Sequence, residues 1–260
     1  MQRTTPIATV LSLAALLGAC GGDSTNAKSD AASTSTTAVV EPVIDPGDDG
    51  SYHPTIDPAD FVDVIDNPYL PFASGSRWVY EGDDGEGLER IEVVVTGDRR
   101  QVMGVSTWVV QDTVTVDGQI VEDTFDYYAQ DRDGNVWYFG EDTREFEDGV
   151  AVNAEGAWEA GIDGALPGIV MPGEPVQGFS YRQEFDAGNA EDMGEILEVG
   201  VARDTAKATY VDVVVTEDWS PLDAEVVEEK WYARGVGGIR TTHTAGKTGT
   251  VELIEFTPGT

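Results

Sequence analysis

Residues 105–117 and 119–130 read VSTWVVQDTVTVD and QIVEDTFDYYAQ, and these two segments decide the fold class. The side chains that recur at even spacing in the first segment, and so share one face of an extended chain, are Trp108, Val110, Val114 and Val116. Asp117-Gly118, a dipeptide typical of a tight hairpin turn, joins the two segments. Together they predict an antiparallel β-hairpin that buries one of its faces.

The same period of two continues on both sides of this hairpin. Further strands are predicted at 76–81, 88–97, 99–103, 135–141, 143–149, 179–186, 195–204, 208–216, 226–234, 236–246 and 249–257. Short turns rich in Gly and Asp separate successive strands, which predicts a meander, and so many strands must curl or close. We therefore predict a mainly β fold: a single large curved antiparallel sheet, an incomplete or closed barrel, over residues 55–260.

Two segments depart from this rhythm. Asp57-Pro58-Ala59-Asp60 carries an Asp N-cap followed by Pro, so it predicts a short N-terminal helix that ends at Asn67-Pro68. Residues 150–178 are rich in Gly and Pro and have no clear period, yet they are too apolar for a solvated loop. We expect this irregular central segment to form a lid across the mouth or one face of the sheet.

The N-terminal residues indicate where the protein is targeted. Residues 1–19 combine Arg3, an apolar stretch from Ile7 to Leu17 and small residues before Cys20, which resembles a bacterial lipoprotein signal peptide. Lipidation of Cys20 would anchor the chain to the extracytoplasmic face of the cell membrane through acyl chains such as palmitate. Residues 20–54 are rich in Ser, Thr, Ala and Asp, so they predict a disordered tether.

Composition excludes several functional classes. Asp and Glu total 49 against 15 Lys and Arg, a formal net charge of -34, and so acidic a surface repels nucleic acid. One Cys and two His are too few for a disulfide framework or for a zinc site of the usual Cys/His kind, so both are excluded. His243, the later histidine, alternates with threonines and is expected to be exposed on a strand.

The favoured function is binding of a small hydrophobic molecule in a sheet-lined groove, without catalysis and without a cofactor. The side chains expected to hold this ligand are Trp137, Phe139, Trp158, Leu166, Ile169, Met171 and Tyr181. Burial of apolar area would drive such binding, at roughly 25 cal/mol per Å².

Two alternatives remain open at this level. The first is a calcium or other cation site at Asp131, Asp133, Asn135 and Glu141, although a hairpin turn also explains the first three residues. The second alternative is a cell-wall glycan hydrolase that acts through two carboxylates. The polar row Glu122, Thr124, Asp126, Tyr128 and Gln130 would make an acidic pocket if it faced inward, but the outward orientation is favoured.

The chain resembles a group of bacterial, often actinobacterial, lipoproteins of unassigned activity. The strings that carry the resemblance are Asn67-Pro68-Tyr69-Leu70-Pro71 with Gly75, Trp78 and Tyr80; 129–141; 158–161 with Pro167-Gly168; 181–184; and 231–237. They are spread over residues 67–237, most of the predicted domain. The resemblance implies no catalytic residues. The strand count and the central segment are also similar to the incomplete barrels of LolA and LolB, which hold acyl chains.

Overall fold

A computed structural model describes residues 52–83 and 87–260. These residues form one 3-10 helix, Pro58–Asp60, and sixteen strands. The strands are β1 (Phe61–Val62), β2 (Arg77–Asp83), β3 (Leu88–Val102), β4 (Val105–Val116), β5 (Gln119–Asp131), β6 (Val136–Glu147), β7 (Val150–Asn153), β8 (Trp158–Glu159), β9 (Leu166–Met171), β10 (Ser180–Arg182), β11 (Glu184–Phe185), β12 (Met193–Asp204), β13 (Thr209–Ser220), β14 (Asp223–Ala233), β15 (Gly237–Ala245) and β16 (Thr250–Thr257).

Hydrogen bonds join the strands into one antiparallel sheet in the order β10-β12-β13-β14-β15-β16-β2-β3-β4-β5-β6-β9-β11. The two ends of this order, β10 and β11, are consecutive in the chain and are separated only by Gln183. One extended segment therefore pairs with β12 on one side and with β9 on the other. It brings the sheet close to a complete barrel, so the predicted large curved antiparallel sheet is confirmed.

Register decides which side chains line the barrel, because directly opposed residues in antiparallel strands point to the same face. Val93 of β3 lies opposite Asp112 of β4, and Asp112 lies opposite Thr124 of β5. All three are buried, with apolar Ile91 and Val114 beside them. This face is the interior of the barrel.

The outward orientation expected for the polar row of β5 was wrong. Glu122, Thr124, Asp126, Tyr128 and Gln130 are all buried and share the interior face. Both faces of this strand mix apolar and polar side chains, so periodicity could not orient it. The neighbouring valines of β3 and β4 decide the matter, because only one face of the sheet can be concave.

The segment before β2 seals one end of the barrel. Asn67 is 1% exposed; its Oδ1 accepts hydrogen bonds from the amides of Tyr69 and Leu70, at 2.9 and 3.2 Å. Its Nδ2 donates to the carbonyls of Gly134 and Pro172, at 2.9 and 3.1 Å. These four bonds fold the Asn-Pro-Tyr-Leu-Pro string into a plug that places Leu70 and other apolar side chains in the core.

Two expectations for irregular segments need correction. The N-terminal helix is a single 3-10 turn, Pro58–Asp60, and β1 begins directly after it at Phe61, well before Asn67-Pro68. The central segment is not a lid over the mouth, because it contains β7, β8 and β9, which all pair with β6 and extend the wall. Gly140 permits this approach: its φ is +130°, and a Cβ there would lie 2.3 Å from the carbonyl oxygen of Trp158.

Tyr52 precedes the predicted domain boundary at residue 55 and packs onto the barrel. Tyr52 is buried, and its hydroxyl donates to the carbonyl of Pro167 at 2.7 Å. The signal peptide, Cys20 and the tether up to residue 51 lie outside the described residues. Within the described part of the chain, no helix has the length and apolar character needed to span a membrane.

Candidate functional site

A cavity lies inside the barrel beside the plug. It encloses about 510 Å³ including space open to solvent, and its water-accessible part is about 40 Å³, which is room for a few water molecules. Its lining residues come from the plug and from strands β2, β3, β14 and β15: Leu70, Phe72, Trp78, Tyr80, Val93, Lys230, Trp231, Tyr232, Gly237, Gly238, Arg240 and Thr241.

The wall of the barrel is loosely paired at this cavity. Cross-strand pairing of β15 with β16 covers only Arg240, Thr241 and Thr242. Where β15 begins, side chains take over the hydrogen bonding: the Trp78 indole donates to the carbonyl of Val236 at 2.6 Å. The Tyr80 hydroxyl likewise donates to the carbonyl of Gly238 at 3.1 Å. The cavity therefore has an aromatic wall that is fixed by its own polar groups.

Beyond the cavity the interior becomes acidic. Five carboxyl side chains from four neighbouring strands face inward and are at most 8% exposed; we call them the acidic cluster, and they are Glu89, Asp112, Glu122, Asp126 and Glu141. The cluster adjoins the cavity directly, because Val93 lines the cavity and lies opposite Asp112.

Two members of the acidic cluster share one phenol. The Tyr138 hydroxyl lies 2.7 Å from Asp126 Oδ1 and 2.8 Å from Glu141 Oε2. A phenol has one proton to donate, so one of these two contacts requires a proton on the carboxyl group. Burial is the main cause that raises the pKa of Asp126 to about 7. Burial, followed by the charge of Asp126, raises the pKa of Glu141 well above its ordinary value.

Asp112 has the most one-sided surroundings of the cluster. Burial raises its pKa well above the ordinary value, and the carboxylates of Asp126, Glu122 and Glu89 raise it further. Its Oδ1 has no hydrogen-bond partner among residues 52–83 and 87–260. The acid is 3% exposed, so this oxygen has neither a protein donor nor free access to bulk water.

A second polar group, the lysine cluster of Lys230, Asp218 and Glu228, faces the same interior from β13 and β14. Lys230 Nζ lies 3.0 Å from Asp218 Oδ2 and 3.3 Å from Glu228 Oε2. Burial alone lowers the pKa of Lys230, but the two carboxylates outweigh it and hold the pKa well above the ordinary value. The ammonium is therefore engaged by carboxylates of its own cluster.

His243 corrects another expectation. Its side chain is only 3% exposed, and Nδ1 lies 3.5 Å from Glu228 Oε1. It was expected on the solvent side of its strand because threonines flank it. In the register of β14 and β15, His243 instead lies opposite Glu228, which points inward.

The expected hydrophobic-ligand residues do not form one group. Trp158 and Tyr181 face the interior: the Trp158 ring packs edge-on against Tyr138, with centroids 5.4 Å apart, and Tyr181 packs over Gly194. Trp137 and Phe139 pack instead against Phe61 of β1.

The remaining three expected ligand residues belong to β9. Ile169 pairs with Trp137, Met171 with Val136, and Leu166 with Phe185. The cavity is lined by other residues. Most of the residues expected to bind the ligand therefore pack within the wall of the barrel.

The expected calcium residues are also separated. Asp131 Oδ1 accepts from the amides of Asp133 and Asn135, both at 2.9 Å. Its Oδ2 accepts from Asn135 Nδ2 at 2.8 Å and from the Trp137 indole at 2.7 Å. Glu141 lies in the barrel interior with the acidic cluster. Asp131 thus organises a hairpin turn with protein donors.

The sequence contained one usable signal for the site that was overlooked. Position 112 falls within the even-spaced row of Trp108, Val110, Val114 and Val116, and an aspartate there interrupts an otherwise apolar face. An acid in a buried row is the type of residue that signals function or a paired charge. The cavity-lining aromatics Phe72, Trp78 and Tyr80 had no such signal, because aromatic side chains before and within a strand are ordinary core residues.

Comparison with known proteins gives two solved structures. One is described as a candidate exported protein with a YmcC-like fold from Bacteroides fragilis; it is 14% identical, with a TM-score of 0.44, and the match covers 73% of this chain and 99% of that one. The other is a candidate lipoprotein from Parabacteroides distasonis, at 15% identity and a TM-score of 0.41, covering 75% and 100%. No family model and no curated protein matches the chain.

Proposed function

We propose that the chain is a lipid-anchored binding protein on the extracytoplasmic face of the membrane, and that its ligand lies inside the barrel. The supporting observation is the composition of the cavity lining, which is mostly apolar and aromatic with a few polar groups, as is typical of small-molecule sites. We therefore propose that the hydrophobic ligand predicted from the sequence lies beside Phe72, Trp78 and Tyr80.

The anchor rests on the sequence. Cys20 follows an apolar stretch and small residues, the pattern of a lipoprotein signal, and acyl chains on that cysteine would hold the domain at the membrane. Metabolic labelling of the full chain with an alkyne fatty acid tests this: label should appear in the wild type and disappear in Cys20→Ser. Labelling that persists in the variant would refute the assignment of Cys20.

The ligand site is tested by filling the cavity. A Cβ at Gly238 would lie 3.4 Å from the Tyr80 hydroxyl and 3.9 Å from the Tyr232 ring, so Gly238→Val introduces methyl groups into the cavity without a backbone clash. We expect the affinity for the neutral fluorescent probe N-phenyl-1-naphthylamine to fall about tenfold. Thr244→Val, on the exposed part of the same strand, is the matched control. Equal probe binding by both variants, with unchanged melting temperatures, would place the ligand elsewhere.

The two alternatives from the sequence stay predictions. A calcium-binding role would need Asp131 to exchange its present donors for a metal. A glycan hydrolase would most reasonably use Asp126 and Glu141, because these carboxyls share the Tyr138 hydroxyl and have raised pKa values. Release of reducing sugars from cell-wall glycan by the wild type, and its loss in Asp126→Asn, would favour this activity over simple binding.

A further inference from the structure

We propose that the acidic cluster recognises the positively charged group of an organic amine, whose apolar part occupies the adjoining cavity. This inference rests on the proposed function and adds the chemical class of the ligand. It depends on the unpartnered oxygen of Asp112, the charge of the surrounding carboxyls and their position next to the apolar wall.

Asp112 supplies the observation that points to a missing donor. Its Oδ1 is buried and, among residues 52–83 and 87–260, accepts no hydrogen bond. A buried polar atom without a partner destabilises the fold by about 1–3 kcal/mol, so natural proteins rarely keep one unless another component satisfies it. An ammonium group would supply the hydrogen bond together with a compensating charge.

The protein's own interior lysine does not supply this charge. Lys230 Nζ contacts Asp218 and Glu228 at 3.0 and 3.3 Å. The charges that act on the pKa of Asp112 are all negative; they come from Asp126, Glu122, Glu89 and Asp123. Among the described residues, the Asp112 Oδ1 atom therefore accepts no bond from a cationic side chain, and a bound cation would supply that bond.

The surroundings favour an organic cation over a metal ion. In the described part of the chain, no group of three or more acidic, His or Cys side chains is close enough to coordinate one metal. The carboxyls are instead interleaved with phenol rings: Tyr128 and Tyr138 stack with centroids 4.9 Å apart, and the Tyr128 hydroxyl also has no hydrogen-bond partner within the described ranges. Aromatic faces beside carboxylates suit an alkylammonium group.

The position of the cluster suits an amphipathic ligand. Val93 contributes to the cavity wall and faces Asp112 across the β3–β4 ladder, where opposed Cβ atoms lie about 5 Å apart. Tyr80 also lines the cavity, and the charge of Asp112 raises its pKa in addition to burial. The cavity wall at Val93 therefore lies directly beside the acidic cluster, and this is where we expect the ammonium end of a short alkylamine.

The test compares hexylamine with 1-hexanol, which have the same alkyl chain but differ in charge. Isothermal calorimetry at pH 8 uses the full chain with Cys20→Ser, so that no lipid or detergent competes. We expect hexylamine to bind at least about tenfold more tightly than hexanol. Asp112→Asn should reduce that ratio to about threefold or less, while Asp142→Asn, an exposed acid on β6, leaves it unchanged.

Each outcome decides between the two proposals. Equal binding of both probes overturns the cation inference and leaves the apolar site standing. Binding of neither probe overturns both. A larger heat with calcium chloride than with hexylamine, abolished in Asp112→Asn, would overturn the organic cation in favour of a metal. If Asp112→Asn does not fold, the same ratio measured in Asp126→Asn decides, because that acid belongs to the same cluster.

Discussion

Replacing Asp126 by Asn should remove a large part of the pH dependence of folding. The carboxyl is buried in the barrel, and its Oδ1 accepts from the Tyr138 hydroxyl at 2.7 Å. An asparagine oxygen can accept the same bond, so the substitution deletes the ionisation with little change of shape. The charged or titratable interior groups that interact with Asp126 include Asp112, Glu122, Tyr128, Tyr138, Glu141 and Glu184.

The sign follows from the raised pKa. Burial moves the pKa of Asp126 from 3.8 to about 7, so the folded state holds a proton that the unfolded state has released. The resulting stability is fully present below pH 3.8 and is lost as the pH rises through about 7. Between these two pKa values the free energy of unfolding falls by about 1.4 kcal/mol per pH unit. The loss amounts to about 3 kcal/mol between pH 5 and pH 8.

Urea unfolding at pH 5 and pH 8 measures this difference. We expect the wild type to lose about 3 kcal/mol more stability than Asp126→Asn over this interval, because the variant lacks the titration. Asp142→Asn removes an exposed carboxyl from the adjacent strand, so it should follow the wild type. Parallel stability curves for the wild type and Asp126→Asn would refute the argument that burial holds a proton on this residue.

Three further perturbations test other parts of the barrel. Asn67→Ala removes four hydrogen bonds from the plug and should lower the free energy of unfolding by about 3 kcal/mol or more. Asn153→Ala, at an exposed strand end, should change this free energy little, and chemical denaturation of both variants measures the difference. Lys230→Met leaves two buried carboxylates without their cation and should lower the free energy of unfolding by about 3–5 kcal/mol. Lys207→Met, at an exposed position, should have a negligible effect. A loss below about 1 kcal/mol in Lys230→Met would contradict a tight ion pair. Calcium should leave the melting temperature unchanged because Asp131 already accepts four protein hydrogen bonds, and a rise abolished in Asp131→Asn would restore the calcium site.

The sequence by itself determined the β class and the extent of the sheet. Alternating apolar residues and Gly-containing turns place the strands along the chain, as in β4 and β5, because each strand must bury one face and each hairpin needs its own turn. The predicted segments 88–97 and 99–103 proved to be one long strand, β3. The lid predicted for the central segment was wrong because β7, β8 and β9 are too short to show a periodic pattern. Gly140 also lets the backbones of β6 and β8 approach closely, which periodicity does not reveal.

Only the tertiary structure decided which face of the sheet became the interior, and with it the candidate site. Asp112 and Asp126 lie on the two strands of one hairpin, but each was one of many acids until the register of β3, β4 and β5 showed that both point into the interior. A period of two specifies that a strand has two faces, but not which of them the closed sheet encloses. That choice follows from long-range pairing and closure, which no local pattern encodes.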